Sequence, residues 1–251
     1  MANTPLKTLL LTGASRGIGH ATVKHFHAAG WRVLTVSRQP FSKICPWVEG
    51  DQDHIEGDLN DVENLPKMIE QIRAKLHEPI SAGMLHALVN NAGISPKREG
   101  GARMGVIDTP LSVWQNVFNV NLFATAMLPQ GLFSELKAAK GSIVNVTSIA
   151  GSKVHPFAGV AYATSKAALA SLTREMAFDF GPHGVRCNAI APGEIDTSIL
   201  SPGTNEIVEK QIPMKRLGRP EEVAATIYFL CTSQSSYVNG AEIHINGGEH
   251  V

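Results

Sequence analysis

Short apolar runs rich in β-branched residues alternate along the chain with longer stretches of mixed apolar and polar residues. The runs are KTLLLTG (7–13), WRVLTVS (31–37), HIEGDL (54–59), LHALVNNAG (85–93), SIVNVTS (142–148), VRCNAIAPG (185–193) and AEIHING (241–247). Several are continuously apolar, which marks strands covered on both faces. The intervening patterns predict helices near 17–29, 61–77, 111–138, 159–180 and 221–232. Alternating strands and helices with buried strands predict an α/β fold, a parallel sheet between two helix layers. Two connections break the rhythm. Residues 94–110 are Gly-rich and polar, and 194–219 carry Pro202, Gly203, Pro213 and Gly218 with little periodicity. Long loops in a compact α/β domain tend to bind or cover ligands. The first reads equally as a mobile surface loop. The second follows the C-terminal end of a strand, where such sheets bind ligands, and reads as a lid.

The chain of 251 residues shows no internal repeat, low-complexity tract or linker, so a single domain over 1–251 is expected. Lys+Arg and Asp+Glu both total 22, and this balance argues against nucleic acid as a partner while leaving room for a small anion. Cys45, Cys187 and Cys231 are far apart and odd in number, which suits buried apolar filler in a reducing compartment. His25 and His27 form no metal-ligand pattern and read as helix-surface residues, so no metal is expected. Leu9–Leu11 is too short for a signal-peptide core, and no apolar run approaches the roughly 20 residues that span a membrane. A cytoplasmic protein with no membrane partner is the expectation.

TGASRGIG (12–19) ends the first predicted strand and opens the first helix. Gly13, Gly17 and Gly19 allow a tight turn and close approach of a phosphate, with Ser15, Arg16 and Ile18 between them. The following helix N-terminus presents unpaired N–H groups to an anion. The second strand ends in Ser37 and Arg38, where an acid would bind the ribose of NAD. Arg16 and Arg38 suit an added 2′-phosphate, so NADP(H) is favoured, with NAD(H) as the alternative. After the third strand, Asp58 beside Leu59 can accept from an adenine amino group, while Asn60 or Asp61 can cap the next helix. Asn91, Ala92 and Gly93 give a small, kinked strand end able to lie against the cofactor.

With these motifs stand NVNL (119–122), IVNVTS (143–148), YATSK (162–166), APG (191–193), RLGRPEEVA (216–224) and VNGAEIHINGG (238–248). Together they make the chain resemble the short-chain dehydrogenase/reductase family, close to 3-oxoacyl-[acyl-carrier-protein] reductases, over essentially its whole length. The resemblance implies a Rossmann-type, doubly wound seven-stranded sheet and a catalytic set of Asn121, Ser148, Tyr162 and Lys166. It also implies cofactor contacts at Pro192, Gly193, Ile195 and Thr197, and a homotetramer built through the two long helices and the C-terminal strand. Ser148 and Tyr162 are 14 residues apart, one more than the commonest family spacing; the extra residue is expected in SKVHPFAG (152–159). Asn246-Gly247-Gly248 replaces the usual Asp-Gly-Gly.

The residue types suit hydride transfer to a carbonyl. Negative charge grows on the oxygen and a proton donor must meet it. A phenol with a pKa near 10 needs a cation beside it, and Tyr162 and Lys166 share one helix face at i and i+4. The resemblance adds that Lys166 bonds the nicotinamide ribose, Ser148 holds the carbonyl oxygen and Asn121 orders a water for proton relay. Viewed alone, Ser148 also reads as a strand-end hydroxyl and Asn121 as a helix-kink residue. Glu194 and Asp196 read as caps of the following segment, with orientation of a polar or amine-bearing substrate as the alternative. The expected activity is NADPH-dependent reduction of a small carbonyl compound, or the reverse oxidation of its alcohol, with a 3-oxoacyl thioester as one substrate. The alternatives are an NAD(H)-dependent dehydrogenase of a small alcohol or sugar and a non-catalytic NADP-binding sensor.

Overall fold

Strand β1 (Thr8–Thr12) is buried at every position, and its side chains divide between two cores. Leu10 joins Leu34, Leu88, Ile143 and the inner faces of helices on one side. Leu9 and Leu11 join Val33, Val89 and Val144 on the other. This two-residue alternation between two apolar faces explains why the strand sequences read as unbroken apolar runs. The structure, a computed structural model, describes residues 5–41, 51–197 and 203–251.

β1 leads into helix α1 (Gly17–Ala28), then β2 (Arg32–Ser37), β3 (His54–Glu56), α2 (Leu65–Leu76) and β4 (Ala87–Asn90). The second half runs α3 (Leu111–Phe118), α4 (Ala124–Gly131), α5 (Phe133–Ala139), β5 (Ser142–Val146) and α6 (Val160–Phe180). It ends with β6 (Arg186–Pro192), α7 (Thr204–Lys210), α8 (Pro220–Cys231) and β7 (Glu242–Ile245). The seven strands form one parallel sheet in the order β3-β2-β1-β4-β5-β6-β7. The order reverses between β1 and β4, so a crevice opens beyond their C-terminal ends. In the sheet interior Asn90 faces Asn145 across the β4–β5 pair and donates to it at 2.9 Å; Asn145 in turn donates to Thr173 of α6 at 2.9 Å.

Two predicted elements differ. The helix expected over 111–138 is interrupted by a wider, π-type turn at Asn119–Phe123 and by a break at Leu132, just beyond Pro129, which has no N–H for the ladder. The irregular stretch 194–219 contains α7, whose seven residues are too few for periodicity to reveal. Cys187 and Cys231 are buried, as expected of filler; Cys45 lies outside the described residues. His27 is exposed, but His25 packs against Tyr228 of α8, ring centroids 4.8 Å apart. Among the described residues no helix is long and apolar enough to cross a membrane.

Candidate active site

The glycine loop is shaped by contacts that admit no side chain. Gly13 and Gly17 adopt positive φ, 74° and 55°. A Cβ on Gly19 would lie 2.1 Å from the Gly13 carbonyl, and one on Gly13 would lie 2.9 Å from Ala92 Cα. Asn91 clamps the loop to β4: its amide donates to the carbonyls of Thr12 (3.0 Å) and Gly13 (2.8 Å). Thr12 Oγ1 accepts from Asn91 N and Ala92 N, both at 3.1 Å. Arg16 occupies the N-cap of α1 without a side-chain cap, leaving the first N–H groups of the helix free to face an anion.

These residues form one end of a cleft of about 780 Å³, which also takes in Ser37, Arg38, Asp58, Leu59, Gly93, Ser148, Tyr162, Lys166, Pro192, Gly193, Ile195 and Thr197. A bare helix N-terminus, backbone stripped of Cβ atoms and two arginines, in a cleft of this size, fit a dinucleotide. Thr197 lies over the loop, where a Cβ on Gly17 would come within 3.1 Å of its methyl. The 194–197 strip is held by Asp196 N donating to Gly218 O (2.8 Å) and Gly218 N to Glu194 O (2.9 Å).

At the other end Tyr162, half-buried near the start of α6, is hydrogen-bonded to Ser148, which sits just past β5. One turn along, Lys166 is buried and donates to Val146 O at 2.6 Å. Its Nζ lies 5.7 Å from the Tyr162 ring centre. A Cβ on Gly93 would lie 3.3 Å from that Nζ and 3.5 Å from Asn121 Oδ1, so β4's end closes over both. Asn121, on the π-type turn, is fully buried; its Oδ1 accepts from Ile94 N (2.9 Å) while its amide donates to Ile94 O (3.1 Å) and Ser165 Oγ (3.0 Å). Asn121 thus sits in the helix kink, with its amide turned toward the end of β4 and α6.

A family model described as enoyl-(acyl carrier protein) reductase matches residues 13–250. The chain belongs to the short-chain dehydrogenase/reductase family. It is similar to protein FixR of Bradyrhizobium diazoefficiens, 58% identical over 246 residues, which cover 98% of this chain and 87% of FixR. A short-chain dehydrogenase/reductase of Brucella ovis, solved in complex with a partially ordered NAD, is 63% identical with a TM-score of 0.83, over 96% of this chain and 100% of that one. A 3-oxoacyl-[acyl-carrier protein] reductase of Brucella melitensis with bound NAD is 32% identical with a TM-score of 0.86, over 100% of this chain and 93% of that one.

As a member of this oxidoreductase family, the chain lines one cleft with Ser148, Tyr162 and Lys166, while Asn121 is buried behind it against Ile94 and Ser165. Burial pushes the Lys166 ammonium down to about 8. Burial also pushes the Tyr162 phenol above its ordinary value, Glu194 adds to that, and the Ser148 hydrogen bond opposes it. Of the groups around the phenol, Ser148 is the one whose hydrogen bond favours the phenolate. The helix-capping residues depart from expectation, while Asp58 lines the cleft. Asp58 spends Oδ1 on its own turn, accepting from Asn60 N at 2.9 Å. Neither Asn60 nor Asp61 is the N-cap of α2; Asn64 is, held through its amide by Asp61 at 2.6 Å.

The Glu194 side chain turns to the cleft wall. Its Oε1 lies 2.8 Å from Nε2 of buried His155, in the cleft wall. His155 and Phe157 belong to the 152–159 stretch, where the extra residue is expected; this stretch shapes the cleft wall, and Ser148 and Tyr162 remain in contact. The motifs gave no sign of His155, Phe157 or Lys97. The unusual spacing was the one hint toward the first two.

Proposed function

We propose that this protein catalyses reversible reduction of a small carbonyl compound to its alcohol, using NADP(H) in preference to NAD(H). The reading rests above all on the hydrogen-bonded Tyr162–Ser148 pair beside buried Lys166, at the opposite end of one cleft from a bare helix N-terminus. A bound nicotinamide supplies a hydride to the carbonyl carbon in reduction and takes it back in oxidation. Tyr162 gives its hydroxyl proton to the carbonyl oxygen, so carbon and oxygen together gain one hydride and one proton. Ser148 holds that oxygen in place while its charge grows. Lys166, beneath Gly93 and one turn from Tyr162, recharges the site with protons. Both amide hydrogens of Asn121 are taken by Ile94 and Ser165, so a relay water has the second lone pair of Oδ1 to bind. Thr12 and Asn91 keep the loop shaped for the pyrophosphate, and exposed Arg16 and Arg38 support the 2′-phosphate. The loop at 94–110 and the described parts of 194–219 (198–202 lie outside the described residues) form the substrate side of a single catalytic domain, assembled as a homotetramer that light scattering would detect.

Tyr162→Phe tests the reading. It should retain dinucleotide affinity within about twofold and lose on the order of 10³-fold in kcat across a panel of ketones and their alcohols. A wild-type protein that binds NADPH and turns over none of the panel would instead support a sensor.

A further inference from the structure

The substrate end of the cleft contains a charged group that hydride transfer does not use. Glu194 follows the β6 strand end and lines the cleft with Tyr162, Ser148, Lys97, His155 and Phe157. Its side chain is only 12% exposed, and that of His155 only 8%. His155 Nδ1 accepts from Phe157 N at 3.2 Å, so in the neutral ring the proton sits on Nε2. That Nε2 lies 2.8 Å from Glu194 Oε1 but has no aligned hydrogen bond, leaving a buried donor and a carboxylate in near contact with unspent capacity. Burial raises the proton affinity of Tyr162 and lowers that of Lys97, and the charge of Glu194 adds to the first shift and opposes the second. Lys97 itself is engaged, donating to Phe157 O above that ring. The carboxylate thus lines the same cleft as the Tyr162 side chain, and Lys97 is held to the wall.

A substrate that closes this cleft expels the water that solvates Glu194. An acyl chain or plain alkyl ketone replaces that water with nothing, whereas a donor beside the reacting carbon replaces it in kind. We propose that Glu194, oriented by His155, is the specificity-determining acceptor of the cleft. It selects alcohols and ketones that carry a hydrogen-bond donor, a hydroxyl or an ammonium, on the carbon next to the reacting one. This rests on the reductase reading above and narrows it toward vicinal hydroxy or amino compounds and away from apolar acyl chains.

The test compares sec-butanol with its derivatives bearing a hydroxyl, a methoxy or an amino group on the adjacent carbon, each oxidised with NADP⁺ and NAD⁺. The hydroxyl or amino compound should exceed the methoxy compound in kcat/KM on the order of 10²-fold. Glu194→Leu should bring all four within about threefold of one another, a ratio set by the loss of one charged hydrogen bond. Glu194→Gln should keep the hydroxyl preference and lose the ammonium preference, and it serves also if the leucine variant fails to fold. A second readout uses Tyr162→Phe loaded with dinucleotide, measuring binding of the same compounds by saturation-transfer NMR. Equal kcat/KM across the wild-type series, or a preference that survives Glu194→Leu, overturns the proposal and leaves the reductase reading standing. Donor-selective binding without turnover of any compound sustains Glu194's role and removes the reductase reading. Neither turnover nor selective binding overturns both.

Discussion

Replacing Lys166 by methionine keeps the length of the side chain and removes its titration. In the unfolded chain the amine titrates at its ordinary 10.5, and in the fold at about 8, because burial disfavours the charged form. At ~1.36 kcal/mol per pH unit that gap is worth about 3 kcal/mol. Between about 8 and 10.5 the unfolded chain holds the proton and the folded one has released it, so stability rises with pH across that window. Below about 8 the full cost weighs on the fold. Urea unfolding at fixed protein concentration, run on wild type and Lys166→Met at pH 7 and pH 9.5, isolates the effect as a difference between the two proteins. Wild type should gain about 2 kcal/mol on its variant over that range. A change under about 0.5 kcal/mol, or one of opposite sign, would refute a depressed lysine. The result bears on chemistry, because above about 8 proton donation by Tyr162 can draw on a charged Lys166 only where a bound partner restores its ordinary basicity. Saturating dinucleotide should therefore shrink the pH effect.

Arg16→Ala combined with Arg38→Ala should lower the proposed NADPH-over-NADH preference in kcat/KM by roughly 10- to 100-fold, the effect of removing two charge-assisted contacts proposed for one phosphate. An unchanged ratio would place the 2′ position elsewhere. Gly19→Ala puts a Cβ 2.1 Å from the Gly13 carbonyl, so the loop must shift. Isothermal titration should find dinucleotide affinity reduced by at least tenfold, a loss of about 1.4 kcal/mol. Asn121→Ala leaves Ile94 N, Ile94 O and Ser165 Oγ without their partner. Chemical denaturation should show a loss of about 2–4 kcal/mol, beyond any effect on turnover.

The strands were legible because a sheet covered on both faces needs apolar residues at every position, as Leu9, Leu10 and Leu11 show. The loop of Gly13, Gly17 and Gly19 was legible because only glycine tolerates its geometry. Tyr162 and Lys166 were legible as neighbours, since helical spacing is a local property. What spacing could not supply was the environment. Lys166 loses basicity through burial by segments as distant in sequence as Gly93 and Val146. The Glu194–His155 contact joins a strand end to an irregular loop, and nothing local to either residue announces the other. Helix α7 is one short turn pair whose position depends on packing, and the break at Leu132 needs tertiary contact to become visible.

The Asn90–Asn145 bond in the sheet interior works as the zero mark of a ruler. Two buried amides in adjacent strands meet only in one alignment, and a slip by a single residue would strand both away from water. Such a slip would carry β5 along β4 by roughly 3.3 Å. Gly93 is three residues beyond Asn90, and Ser148 is three beyond Asn145. The same alignment therefore sets how far the Ser148 hydroxyl, proposed to steady the substrate, stands from the Gly93 backbone, proposed to lie against the dinucleotide. A misplacement of even about 1 Å costs on the order of 10² in rate. A polar pair with no part in the chemistry thereby calibrates the distance over which the chemistry runs.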